Sequence, residues 1–171
     1  MKTSLLEEKI ERYKRGDKTA FDYIYEQTHK PLYFNILYYV KDKPLAEDIM
    51  HDAYLKALAN LDAYQSGTNF IGWLCRIGKN LALNFLEKRR REVLTDFSEP
   101  YLGGSYEQEV PYIFELAQKI LSEEEYQIVM MCQVAGYKRR EVAEMLSQPI
   151  ATVTWKNNQA LKKLKQSLEE R

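Results

Sequence analysis

Six basic side chains, Arg76, Lys79, Lys88, Arg89, Arg90 and Arg91, fall in one stretch with Glu87 as the single acid among them. The local charge is +5 in a chain whose formal net charge is zero. At helical spacing Trp73, Asn80, Asn84 and Arg91 run along one flank of the same stretch. Cations hold phosphates, amides read base edges and an indole stacks on a base, so the chemistry on offer is nucleic-acid binding. The same cations also complement the dipole at a helix C-terminus, and a solvated basic face accounts for residues 76–91 equally well when they are taken alone.

A second group lies in residues 138–164, KRREVAEMLSQPIATVTWKNNQALKKL, where Ala143 sits midway in one helical pattern and Pro149 marks a short turn before the next. That is the layout of a helix-turn-helix. Val153, Ala160, Leu161, Leu164 and Leu168 are expected to face inward, and Ala151, Trp155, Asn158, Gln159 and Lys162 outward. An outward Trp among amides and lysines suits DNA; an ordinary helical hairpin is the plainer reading. A third group, Asp48, His51, Asp52 and Leu55, shares the outer face of a helix whose inner face is Ala46, Met50, Ala53, Ala57 and Leu61.

Glu26 with His29, and Asp48 with His51, repeat the i, i+3 carboxylate-histidine spacing of di-iron bundles. The turn between them centres near residue 42, which separates the pairs by roughly 10 Å along the helices at ~1.5 Å per residue. No shared metal follows, and no metal or cofactor is expected. No glycine-rich phosphate loop, nucleophile elbow or Cys-His pair is present, so nothing points to an enzyme. Cys75 and Cys132 lack a C-x-x-C partner and read as reduced structural thiols.

The elements that must position these groups are helices. Leu5, Leu6, Ile10 and Tyr13 make a first amphipathic helix ending at Gly16. Phe21, Ile24, Tyr25, Leu32, Ile36, Leu37 and Tyr39 suit a long helix over 18–40, with a kink expected at Pro31. Pro44 opens a third, running to about Asn60. Phe70, Leu74, Ile77, Leu81 and Phe85 form the expected core stripe of the fourth. Pro100, Gly103, Gly104 and scattered acids read as a linker. Beyond it come a short helix over 112–121, a helix opened by the capping-box sequence Ser122-Glu123-Glu124-Glu125 and closed near Gly136, and the two helices of the helix-turn-helix.

An all-α chain of 171 residues in two small domains results. With 45% hydrophobic and 29% charged residues, a disordered tail or a fibre is excluded. No apolar run approaches the ~20 residues of a membrane span and no signal peptide is visible, so a soluble, cytoplasmic protein with no membrane insertion of its own is expected. Charge is segregated: residues 92–125 carry nine acids and one lysine, and residues 138–165 seven bases and two acids.

The order of these pieces resembles the extracytoplasmic-function group of bacterial RNA polymerase sigma factors. Gly16-Asp17 with Ala20-Phe21, Ala46-Glu47-Asp48-Ile49, FIGWLCRIGKN over 70–80, the basic run 88–91 and Pro149-Ile150-Ala151-Thr152-Val153 carry the resemblance. It implies a four-helix sigma-2-like domain over 1–94, an acidic linker over 95–110 and a sigma-4-like domain with the helix-turn-helix over 111–171. By position, Asp48, His51, Asp52 and Leu55 would meet the β′ clamp helices of core polymerase, although the family usually has Gln and Glu at 51 and 52. Tyr64, Gln65, Thr68 and Asn69 would capture a flipped base of the −10 element, with Trp73, Arg76, Lys79 and Asn80 holding the melted strand. Asn84 stands where the family commonly has Asp. Thr152, Trp155, Lys156, Asn158, Gln159 and Lys162 would read the −35 element. Asn157 departs from an apolar, core-facing position, which points to altered docking of that helix. The implied partners are core RNA polymerase through its β′ and β subunits, promoter DNA and an anti-sigma factor. A stand-alone helix-turn-helix regulator with a sensing or dimerising bundle remains the alternative; a helical adaptor that binds only protein is a third.

Overall fold

Short capping and turn signals set the helix ends, and the apolar faces then decide how the helices stack. A computed structural model describes residues 2–95 and 112–170. The expected linker over 95–110 lies outside the described residues except for Thr95. Helix α1 spans Lys2–Lys14 and is followed by Gly16 at φ +100°, a left-handed conformation that favours glycine. Asp17 Oδ1 then accepts from the Thr19 amide at 3.1 Å, just ahead of α2, Ala20–Val40. Asp42 caps α3, Lys43–Ala59, by accepting from the Leu45 amide at 2.9 Å, with Pro44 in its first turn.

Helix α2 is the hub. It packs against α1, α3 and the long α4, Phe70–Thr95, and it continues through the buried Pro31 as one helix. The expected inner face is buried throughout: Ala46, Met50, Ala53 and Ala57 on α3, and Leu61 just past its end. On α4 the expected stripe needs correction. Phe70 and Leu74 are buried, but the contact continues through Ile71, Gly78 and Ala82, while Ile77 and Leu81 are half-buried and Phe85 is exposed. The cause is close approach: a Cβ added at Gly78 would lie 2.8 Å from Leu32 and 3.0 Å from Ile36, two fully buried side chains. A search for large apolar residues cannot register a seam lined by small ones.

The second helical set comprises α5, Tyr112–Ile120, α6, Glu123–Val129, α7, Arg139–Met145, and α8, Ile150–Glu169. Ser122 and Glu125 complete the capping box of α6, which passes into a π-helical turn over Met130–Val134 and ends before Gly136 at φ +74°. Val153, Ala160 and Leu164 of α8 are buried as expected; Leu161 and Leu168 are exposed, the reverse of expectation. The fully buried position on that face belongs to Asn157, and neither its Oδ1 nor its Nδ2 has a hydrogen-bond partner among the described residues. Cys75 and Cys132 are free thiols. Burial pushes the Cys75 thiol up to about 12 and raises Cys132 as well, so neither supplies a ready thiolate.

Candidate nucleic-acid interface

The site is built from the α3–α4 connection outward. A single 3₁₀ turn, Leu61–Ala63, leads into residues 64–69, and Gly67 at φ +82° bends that loop. Asn69 ends it by accepting from the Gly72 amide at 3.0 Å, the capping role that opens α4. Helix α1 grips the loop from below. Tyr64 donates its hydroxyl to Glu7 at 2.5 Å, the Gly67 amide donates to the other Glu7 oxygen at 3.1 Å, and Ser66 binds Glu11. Lys14 Nζ donates to the Tyr64 carbonyl and to Ser66 Oγ, both at 3.3 Å.

Tyr64 was expected among the base contacts. Instead it is 2% exposed, its ring 5.0 Å from Phe70 and 5.4 Å from Trp73, with no free face for a base in this arrangement. Burial, then the hydrogen bond to anionic Glu7, holds its hydroxyl well above the ordinary tyrosine range, so it stays a donor. Gln65 and Thr68 are exposed at the loop tip, although Thr68 donates its hydroxyl to the Gln65 carbonyl at 2.7 Å. Asn69 and Trp73 are half-buried beside them. One turn on, Arg76 and Asn80 are exposed. Lys79 is half-buried, its ammonium 5.3 Å from the Tyr39 ring centroid and 3.3 Å from Glu123. The structure therefore brings Gln65, Thr68, Asn69, Trp73, Arg76, Lys79 and Asn80 to one edge of the first bundle.

The other two groups lie elsewhere. Asp48, His51, Asp52 and Leu55 are all exposed on the outer face of α3, with Leu55 at 69%. On α8 Trp155 is 62% exposed, and Ala151, Asn158 and Lys162 are exposed around it, with Thr152 and Gln159 half-buried. Lys156 turns away from that face to bind Glu124 and, at 3.3 Å, Gln148. Arg139, at the start of α7, donates to Asn158 Oδ1 at 3.3 Å and joins the surface unforeseen. Glu7, Glu11 and Lys14 were also missed. Their spacing marks one face of α1, but what that face meets is 50 to 60 residues away in the chain. Among the described residues no three His, Cys, Asp or Glu side chains converge as a metal site.

The Sigma-70 region 2 family model matches residues 24–92, from within α2 to near the end of α4, and so covers both the α3 face and the loop-α4 edge. Over nearly its whole length the chain is similar to the ECF RNA polymerase sigma factor SigW of Bacillus subtilis, 25% identical with 97% of this chain and 98% of that one aligned. It is also similar to the sigma factor EcfG of Rhodopseudomonas palustris, 29% identical over 70% of this chain and 68% of the relative. To the sigma-E factor of Escherichia coli K12 it is 26% identical over 84% of each. The chain is thus similar, over most of its length, to extracytoplasmic-function RNA polymerase sigma factors, with the sigma-70 region 2 match confined to residues 24–92. Solved structures share the fold: CnrH in complex with the cytosolic domain of CnrY aligns with a TM-score of 0.58 at 17% identity, covering 97% of this chain and 98% of that one. RpoE from Bartonella quintana, in complex with the anti-sigma factor NepR, aligns with a TM-score of 0.50 at 23% identity, covering 86% and 97%.

Proposed function

We propose that the chain is a sigma factor that directs RNA polymerase to promoters, engaging polymerase and DNA through three separate surfaces. Asp48, His51, Asp52 and Leu55 on α3 dock on the β′ clamp helices of core polymerase; the apolar Leu55 beside carboxylates is a patch with little value to folding. Gln65, Thr68 and Asn69 take an extruded base of the −10 element, and Trp73, Arg76, Lys79 and Asn80 hold the opened strand. Extruding a base costs a few kcal/mol, which edge hydrogen bonds and stacking must offset. Tyr64 serves this surface as the anchor that shapes the loop. On α8, Trp155 with Thr152, Asn158, Gln159 and Lys162 reads the −35 element, and Lys156 contributes only after releasing Glu124. Linking two weak readers on one polymerase raises the effective concentration of the second. An anti-sigma factor is an expected further partner, as RpoE of Bartonella quintana is crystallised with the anti-sigma factor NepR. No described helix is long and apolar enough to cross a membrane; a chain that works on polymerase is expected in the cytoplasm.

The observation that carries this reading is the loop 64–69 pinned to α1 with its polar side chains beside the Trp73-Arg76-Asn80 edge of α4. A solvated basic face needs no such pinning. The test is transcription by sigma-free core polymerase on promoter DNA with and without the protein. Stimulation together with comigration with core is expected; neither occurring would sink the assignment and favour the helix-turn-helix regulator.

A further inference from the structure

Helix α1 has two faces with separate tasks. Leu6 and Ile10 are buried in the core, where α1 packs on α2. Glu7, Glu11 and Lys14 stand beside that stripe, four and three residues apart, and so follow one another up a single flank of the helix. All three reach the loop 64–69. The two oxygens of Glu7 take separate donors, the Tyr64 hydroxyl at 2.5 Å and the Gly67 amide at 3.1 Å. Glu11 accepts from Ser66 and pairs with Lys14 at 3.3 Å. Lys14 donates to the Tyr64 carbonyl and to Ser66 Oγ, and its ammonium lies 5.7 Å from the Tyr64 ring centroid. The Tyr64 hydroxyl also approaches the Thr68 carbonyl, at 3.1 Å, so one side chain ties Glu7 to both ends of the loop. Tyr64, Ser66 and Gly67 are thereby fixed to α1, whereas Gln65 and Thr68 are left exposed.

Two carboxylates behind a loop that receives DNA are a liability, since they repel phosphates. Docking α1 does not require them, because its apolar stripe does that. What they supply is order: a loop held in one conformation beforehand loses less freedom when a base enters. Hydrogen bonds to a base edge are directional, so selection between bases depends on how the loop presents its side chains. We propose that Glu7, supported by Glu11 and Lys14, is a positioning residue for −10 recognition: it fixes Tyr64 and Gly67 so that Gln65 and Thr68 accept one base in preference to the other three. The proposal rests on the reading of residues 64–69 as the base-capturing loop. It assigns part of promoter selection to a helix that lies outside residues 24–92, the stretch matched by the family model.

The test uses the full chain with core polymerase. A DNA fragment library randomised over both promoter elements is selected by binding and sequenced. Amide hydrogen exchange of the free chain, followed by NMR, reads the loop itself. In the wild type one −10 position should show about tenfold enrichment of a single base, the size of one well-made base contact. Glu7→Ala should cut that enrichment to about twofold, speed exchange at the Gly67 amide, and leave −35 preference and core affinity unchanged. Glu7→Gln, which keeps one carbonyl oxygen as an acceptor, should fall between the two. Glu8→Gln, at the exposed neighbouring position, removes a charge from the same helix and should match the wild type. Unchanged base preference, unchanged exchange at Gly67, or the same loss in Glu8→Gln overturns the proposal. So does a change in affinity spread evenly over all sequences, which would mark plain charge repulsion or a general loss of structure. Circular dichroism checks folding. Should Glu7→Ala unfold, Tyr64→Phe, which keeps the ring and deletes the hydroxyl, must weaken preference at the same position, and no change there overturns the role equally. A wild-type chain that neither binds core nor enriches any base would instead remove the sigma reading, while exchange at Gly67 still decides whether Glu7 holds the loop.

Discussion

Asn157 carries an energetic conflict. A fully buried amide with neither atom partnered among the described residues bears a desolvation cost on the order of 1–3 kcal/mol. Replacing it by the similarly branched apolar side chain in Asn157→Leu should raise the unfolding free energy by about 1 kcal/mol, the desolvation gain being reduced by extra volume. Chemical denaturation checks this, and a less stable variant would mean that the amide finds a partner in solution. Trp155 presents the opposite case: at 62% exposure its indole does little for the core. Trp155→Ala should shift −35 preference while core affinity and stability stay as they are, measured by promoter selection and polymerase binding in parallel. Identical promoter selection would take Trp155 off the reading surface.

Helices α3 and α4 do different jobs because their two faces differ. The outer face of α3 leaves Asp48, His51, Asp52 and Leu55 exposed. Alanine at both Asp48 and Asp52 should therefore weaken core binding about tenfold, most strongly at low salt, and leave −35 contacts intact. Equal loss of both activities would argue against separate surfaces. The inner seam of α4 is tight at Gly78. Gly78→Ala gains helix propensity of roughly 1 kcal/mol but drives a methyl group into Leu32 and Ile36, and overpacking of a filled core costs about 1–3 kcal/mol. The net expectation is a loss of about 1 kcal/mol, read from the thermal midpoint; a stabilised variant would show that α2 and α4 separate easily.

The arrangement of the two helical sets couples to pH through Glu123. Burial alone would raise its pKa, but the hydrogen bonds from Tyr39, Asn35 and Lys79, with the charge of Lys79, outweigh burial and hold it below the ordinary glutamate value. A depressed carboxylate contributes stability that is complete above its unfolded pKa and lost as pH falls through the folded one. The packing of the two sets should therefore be intact at neutral pH and loosen on acidification below the usual glutamate range. Glu123→Gln should flatten that dependence, visible as a radius of gyration that no longer grows with acid as the wild type's does. Parallel acid profiles for the two proteins would exclude Glu123 as the titrating group.

Capping and turn residues are local, so the ends of nearly every helix could be read directly: Asp42-Lys43-Pro44, Ser122 to Glu125 and Gly136 act within one turn of where they stand. Periodicity likewise assigned the outer face of α3 and the exposed Trp155, because a helix has only one way to present a stripe. Three features depended on residues distant in the chain and stayed hidden. Tyr64 reads as a free aromatic in a polar loop until Glu7, 57 residues earlier, takes its hydroxyl. The α4 stripe reads through large residues until α2 comes close enough to make Gly78 the contact. Lys79 reads as a cation waiting for a phosphate until Glu123, 44 residues later, is folded against it. The order of helices, the faces of α3 and the resemblance to sigma factors were legible in the amino-acid sequence. Which polar groups are already occupied was decided only by packing, since a side chain's partner depends on where distant helices come to rest.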